Sequence, residues 1–96
     1  MNLGYVYIIK FADSSGREFY KIGLTKYKTK RIVYIATVIP FKIQMVKIVY
    51  VSNYRSIEKH MHKKFAKYKI LNEWFDLRKV ENEAILELTN FEFKGS

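Results

Sequence analysis

Basic side chains are the most abundant chemically active groups in this sequence. Lysines and arginines cluster in KYKTKR (residues 26–31) and HKKFAKYK (residues 62–69), a pattern typical of surfaces that bind a phosphate backbone. The whole chain carries 18 Lys and Arg against 9 Asp and Glu, a net charge of +9, and residues 1–80 hold 17 of the cations against 5 acids. Such a basic body predicts a nucleic acid as partner, with solubility alone as the alternative interpretation.

A carboxylate and an imidazole form a second pattern, in the segment 54–68. Glu58 and His62 are four residues apart, so a helix would place them on one face. His60 is two residues from each of them and would point elsewhere, so an H-x-H metal clip is not expected. A glutamate in the first turns of a helix also interacts favourably with the helix dipole, so this pair alone does not identify a site.

The composition excludes several classes of protein. The chain has no cysteine, so it can form neither a disulfide framework nor a thiolate zinc site. The N-terminus runs directly into strand-like sequence, so we expect no signal peptide. No apolar run approaches the roughly 18 residues of a membrane helix. We therefore expect a cytoplasmic protein that does not enter a membrane.

The elements that position these groups must belong to one small domain. With 96 residues, of which 49% are hydrophobic and 17% aromatic, the chain has material for a single core. β-Branched and aromatic runs predict strands at residues 3–11, 18–24 and 42–51, and a short edge strand in NEWFDL (residues 72–77). The polar sequence ADSSGR between the first two strands predicts a hairpin.

Helices are predicted in the intervening segments, at residues 25–37, 54–68 and 78–89. The second of these has the clearest periodicity, because Ile57, Met61, Phe65 and Tyr68 recur at helical spacing. The order β-β-α-β-α predicts an α+β sandwich in one domain spanning residues 1–96. Its core would lie at about residues 3–77, with a C-terminal helical extension at 78–96.

Several short motifs, in this order, resemble the GIY-YIG nuclease superfamily. They are VY (residues 6–7) on the first strand, KIG (residues 21–23) on the second, and an arginine in the next helix. The sequence is more similar still to a branch from phage, viral and microbial reading frames. That branch has Y-K-I-G-x-T, then E-x-x-x-H, then E-W-F. Here these motifs are YKIGLT (20–25), Glu58 with His62, and EWF (73–75).

The resemblance covers residues 3–77 and implies a fold. GIY-YIG domains share the order β-β-α-β-α, so we expect a three-stranded antiparallel sheet flanked by helices, with a short C-terminal strand and helix added. It also implies a role for each matching residue. Tyr7 would help to activate the attacking water, Arg31 would hold the scissile phosphate, and Glu58 would bind a single divalent ion, Mg²⁺ or Mn²⁺.

Lys21 occupies the position where the family usually has its second-motif tyrosine. One register of the hairpin puts Lys21 on the same face as Tyr7, and a register shifted by one residue puts Tyr20 there instead. We favour Lys21, whose ammonium group would favour the phenolate of Tyr7, and keep Tyr20 as the substitute. His62 would orient the metal-binding glutamate, shuttle a proton or contact the phosphate.

The leading hypothesis is a metal-dependent endonuclease of phage or viral type that cleaves DNA to a 5′-phosphate and a 3′-hydroxyl. One alternative is a catalytically degenerate nucleic-acid-binding module on the same scaffold. Another is a protein-interaction domain that docks through its acidic C-terminal helix. We favour DNA over RNA as the substrate. A homodimer is one alternative, because similar proteins often act as dimers or beside a separate DNA-binding domain. A viral protein would work in the cytoplasm or nucleus of its host.

Overall fold

The computed structural model describes residues 2–94. Its strands are β1 (Gly4–Ala12), β2 (Glu18–Thr25), β3 (Gln44–Val51), β4 (Lys69–Leu71) and β5 (Trp74–Phe75). Its helices are α1 (Lys28–Val38), α2 (Tyr54–Lys64) and α3 (Glu81–Thr89). Single 3₁₀ turns, Ala66–Tyr68 and Arg78–Val80, precede β4 and α3. None of the helices in the described residues has the length and hydropathy needed to cross a bilayer.

The strands form one antiparallel sheet in the order β3-β1-β2-β5-β4. This confirms the predicted α+β class, but the sheet has five strands rather than three. The predicted edge strand exists as β5, whereas β4 was missed. Asn72 has a left-handed backbone (φ 53°), which turns the chain tightly between these two strands. The helix predicted over 54–68 ends earlier in the structure, at Lys64, because residues 66–68 form the 3₁₀ turn.

One face of the sheet is covered by α2 and α3, and we call it the α2–α3 face. Alternate residues of β1 and β2 point to it, as the strand period of two requires. Its buried residues are Val6, Ile8, Tyr20, Ile22, Val49, Val51, Tyr54, Ile57, Met61, Phe65, Phe75, Leu77, Ala84 and Leu88. This is the main hydrophobic core, and it contains most of the helical stripe that the sequence predicted.

The opposite face is covered by α1 alone, and we call it the α1 face. Its hydrophobic cluster within the described residues has three buried members, Tyr7, Ile9 and Ile35, with four half-buried isoleucines around them. Ile35 is the single buried residue of α1. The helix ends where the sequence predicts, because Pro40 holds Ile39 in an extended conformation (φ −94°, ψ 124°). The α1 face is therefore a thin layer.

The C-terminal segment is packed into the same core. Ala84 and Leu88 of α3 are buried, and Glu81 accepts hydrogen bonds from the Tyr20 hydroxyl (2.5 Å) and the Lys10 ammonium (3.0 Å). In the EWF segment, Phe75 is buried in this core. Trp74 lies half-buried on the other face, with its ring edge against Phe11, because neighbouring strand residues alternate.

Candidate functional site

The register of the β1–β2 hairpin decides which side chains share a face. Tyr7 lies opposite Gly23, and Ile9 lies opposite Lys21. Lys21 and Tyr7 therefore point to the α1 face, which is the parity that we favoured. Tyr20 points to the α2–α3 face. The structure thus does not bring Tyr20 to the position that was kept open for it.

Groups that are far apart in the sequence meet at one end of this hairpin. They line a pocket of about 250 Å³, which we call the site pocket. Its lining residues are Tyr7, Lys21, Gly23, Leu24, Arg31, Glu58 and Glu73. β1 and β2 supply the floor, α1 supplies Arg31, α2 supplies Glu58, and the turn before β5 supplies Glu73. The pocket thus joins the phenol, the two cations and the carboxylate that the resemblance assigned to a nuclease site.

Gly23 is explained by the position of Tyr7. A Cβ atom at residue 23 would overlap the Tyr7 hydroxyl oxygen and lie 2.5 Å from the ring carbon Cζ. The phenol therefore lies directly across the backbone of β2, where only glycine leaves room. The glycine of the YKIGLT motif is therefore required by the packing of this ring.

The hydroxyl of Tyr7 is buried and has no hydrogen-bond partner among the residues that the structure describes. Burial raises the pKa of Tyr7 above its usual value, because a phenolate is poorly solvated in the interior. The guanidinium of Arg31 opposes this rise. We expected Lys21 to be the cation that favours the phenolate, but Arg31 is the cation that acts on Tyr7.

Lys21 is instead held by Glu73. The two side chains form an ion pair, and the Lys21 ammonium also lies 5.6 Å from the centre of the Trp74 ring. The hydrogen bond from Lys21 lowers the pKa of Glu73, which keeps this carboxylate ionised. A phosphate entering the pocket would compete with Glu73 for Lys21.

Glu58 is a half-buried carboxylate on α2. Burial raises its pKa, the nearby His62 opposes the rise, and the negative charge of Glu73 adds to it. Two carboxylates on one small pocket are a donor set that suits Mg²⁺ or Mn²⁺. A bound cation would offset the cost of burying their negative charges and would reduce the repulsion between them. Within residues 2–94, no group of three or more His, Cys, Asp or Glu could hold a metal. An ion here would complete its coordination with water and substrate phosphate.

His62 stands beside the pocket. Its Nε2 donates a hydrogen bond to the Ile22 carbonyl (2.8 Å) and lies 3.8 Å from a Glu58 carboxylate oxygen. Ile22 is the residue of β2 just past the short pairing with β5, so the imidazole covers an unpaired strand edge. This placement fits the orienting role among those predicted for His62. His60 points elsewhere, as expected, and contacts Glu87 at 2.6 Å.

Tyr20 has a structural environment. Its hydroxyl donates to Glu81, and burial together with that carboxylate raises the pKa of Tyr20. Two of the three acids of α3 are likewise engaged within the chain, Glu81 by Lys10 and Glu87 by His60 and Lys64. These pairs leave less of the acidic charge of α3 available for docking a partner.

Glu73 is the residue of the pocket that sequence reasoning missed. It belongs to the EWF motif, to which the resemblance assigned no chemical role. The signal that could have found it is its place in a motif shared with the nuclease-like branch. That signal is weak, because a carboxylate in a turn is common on any surface.

Comparison with known proteins adds one match. The family model of the T5orf172 domain matches residues 4–92. That domain is phage-associated and related to nuclease-like folds. No curated protein and no solved structure matches the chain. The matched residues include every residue that lines the site pocket.

Proposed function

Because the chain belongs to the T5orf172 domain family, we propose that it is a metal-dependent endonuclease that hydrolyses phosphodiester bonds in DNA through a GIY-YIG-type site. The observation that carries the proposal is convergence. Residues 7, 21, 31 and 58, placed in order by the motifs, line a single pocket of about 250 Å³ on a protein of net charge +9. A packing role alone would not require a phenol, two cations and a carboxylate to meet at one pocket.

The proposed chemistry follows from these groups. A water oxygen attacks phosphorus, the bond from phosphorus to the 3′ oxygen breaks, and the products are a 5′-phosphate and a 3′-hydroxyl. The phenolate of Tyr7 accepts the proton of the attacking water, and the leaving oxygen takes a proton from solvent. Arg31 donates a fork of N–H groups to the phosphate oxygens. A divalent ion held by Glu58 would supply charge stabilisation at the leaving oxygen.

In the free protein, the ion pair with Glu73 neutralises the positive charge of Lys21. Binding of a phosphate frees Lys21 from Glu73, so a second cation joins Arg31 as negative charge builds up on the phosphoryl group. Glu73 would then be available to hold a divalent ion together with Glu58. Substrate binding thus assembles the site rather than meeting a finished one.

The alternative is a nucleic-acid-binding module without catalysis, and one observation favours it. Tyr7 is fully buried and its pKa is raised, so the phenol is protonated in the free protein at neutral pH. A binding module would need the basic surface but not the phenolate. The two functions differ in what happens after DNA binds.

The test is cleavage of plasmid DNA with Mg²⁺ or Mn²⁺. Arg31→Ala and Glu58→Ala should each slow cleavage by roughly 10²- to 10³-fold, because each removes a group that stabilises developing charge. Lys79→Ala and Glu83→Ala are matched controls, since they remove exposed charges of the same sign that do not line the pocket, and they should leave the rate unchanged. The wild-type rate should rise with pH, because the pKa of Tyr7 is raised and its phenolate is the base.

Two outcomes would contradict this proposal. Cleavage that persists unchanged in Arg31→Ala and Glu58→Ala would place the activity elsewhere. Salt-sensitive DNA binding without cleavage, across metals and pH, would establish the binding module instead.

A further inference from the structure

A second concave surface lies next to the site pocket. It has a volume of about 490 Å³, and we call it the α1 groove. Its lining residues are Thr25, Tyr27, Lys30, Arg31 and Tyr34. Arg31 lines both this groove and the site pocket, so the two surfaces are adjacent. A chain whose phosphate contacts Arg31 is therefore within reach of the α1 groove.

Two exposed aromatic rings distinguish this groove. Tyr27 is 69% exposed and Tyr34 is 61% exposed. Tyr27 is the residue just before α1 and Tyr34 lies within the helix, and both line the groove. No aromatic or cationic group stacks on either ring among the described residues. By contrast, the rings of Tyr5 and Tyr50 pack against each other with centroids 5.0 Å apart.

The charge around the groove is of one sign. Residues 19–57 contain no Asp or Glu but eight Lys and Arg, four of them between residues 26 and 31. A second copy of this chain placed on the groove would bring like charges together, which costs free energy. A polyanion with flat apolar surfaces matches both the cations and the exposed rings.

We propose that the α1 groove binds unpaired nucleotides, with Tyr27 and Tyr34 stacking on bases while Lys30 and Arg31 contact the phosphates. This inference rests on the proposed function, since it names the substrate class of the same site. Bases within a duplex are stacked on one another and offer no free ring face to a tyrosine. The preferred substrate is therefore a single strand, or a junction where a single strand leaves a duplex.

The test is binding without cleavage. Fluorescence anisotropy in EDTA compares a labelled oligothymidylate of about 12 nucleotides, its oligouridylate counterpart and a hairpin duplex. Tyr27→Ala and Tyr34→Ala should each weaken binding of the single strands by roughly 5- to 100-fold and change duplex binding by less than about twofold. Tyr27→Phe and Tyr34→Phe should keep wild-type affinity, because the ring remains.

Val33→Ala is the matched control, since Val33 is 57% exposed on the same helix and does not line the groove. It should leave all affinities unchanged. Lys30→Ala should weaken binding of single strand and duplex alike and reduce the salt dependence of both. A difference between the oligothymidylate and the oligouridylate identifies which nucleic acid the groove prefers.

Unchanged single-strand binding in both alanine variants would overturn the inference, and so would equal losses for single strand and duplex. A shift in oligomeric state in Tyr27→Ala or Tyr34→Ala, seen by size-exclusion chromatography, would show that the groove is an interface between copies of the chain. The proposed function fails separately. If tyrosine-dependent binding persists but no metal supports cleavage, the groove is correct and the nuclease is not.

Discussion

On the α2–α3 face, the hydrophobic cluster of the described chain has fourteen buried members and is covered by two helices, whereas the cluster on the α1 face has three and is covered by one helix. Polar groups differ in the same way. Under α3, Glu81 accepts hydrogen bonds from Tyr20 and Lys10, and these bonds lower the pKa of Glu81. On the α1 face, the Tyr7 hydroxyl has no partner within residues 2–94, and burial raises the pKa of Tyr7.

The difference shows where stability and chemistry are separated in a small domain. Packed and paired residues lower the free energy of the fold, while a site needs groups whose interactions are completed only by substrate. A thin layer on one face leaves room for such groups without opening the core. The comparison predicts that matched substitutions on the two faces have unequal effects.

The largest difference should come from alanine substitutions in the two helices. Met61→Ala on α2 removes a fully buried side chain of the main core. It should lower the free energy of unfolding by about 3–5 kcal/mol. Ile35→Ala on α1 should cost nearer 2 kcal/mol, because the thin layer can relax around the cavity. Urea unfolding followed by the fluorescence of Trp74, the only tryptophan, measures both. Equal costs would contradict the difference between the faces.

A smaller contrast should appear at two strand glycines. Gly23→Ala inserts a methyl group into the Tyr7 ring and should cost about 1–3 kcal/mol, with loss of any cleavage activity. A Cβ atom at Gly4 would lie 3.0 Å from the Tyr54 ring on the α2–α3 face. Gly4→Ala should therefore change the free energy of unfolding by less than about 1 kcal/mol. Urea unfolding and plasmid cleavage on both variants check this. A cleavage defect in Gly4→Ala would break the separation between core and site.

The smallest expected effects come from two glutamates, whose substitution by glutamine should change the melting temperature in opposite directions. The pKa of Glu58 is raised, so its ionisation destabilises the fold as pH rises from the unfolded value, near 4.3, through the folded value. Glu58→Gln should therefore have a higher melting temperature than the wild type at pH 7, and the difference should shrink toward pH 4. Charge neutralisation at a functional site commonly has this effect.

The pKa of Glu87 is lowered by hydrogen bonding from His60 and by Lys64, so its ionised form stabilises the fold above the unfolded pKa. Glu87→Gln should melt slightly below wild type at pH 7, by no more than about 1 kcal/mol, and the difference should vanish as pH falls through the folded pKa. Thermal melts of both variants between pH 4 and 7 test the pair. Changes of the same sign would contradict the assignment of Glu58 to a site.

The fold was largely predictable because its elements carry strong local signals. The α2 stripe, the polar turn of the hairpin and the stop at Pro40 each act within a few residues. β4 was missed because all three of its residues are exposed and so show no alternation. Its pairing depends on the left-handed turn at Asn72, which the sequence alone does not require.

The site was predictable only in part. Ordered motifs named Tyr7, Lys21, Arg31 and Glu58, and the structure brings them together, while their catalytic roles stay predictions. The exchange of partners, Arg31 beside Tyr7 and Lys21 bound to Glu73, could not be read from spacing. It depends on the hairpin register and on where the β4–β5 turn lies, and both are set by tertiary packing.

The hydrogen bonds that Tyr20 and Lys10 donate to Glu81 bear on how far this domain can be shortened. All the motif residues precede Leu77, so a fragment ending there would keep every candidate group for cleavage. It would also lose Ala84 and Leu88 from the core and leave the buried Tyr20 hydroxyl facing no acceptor from α3. The smallest fragment able to act on a substrate is therefore larger than the stretch that carries its motifs.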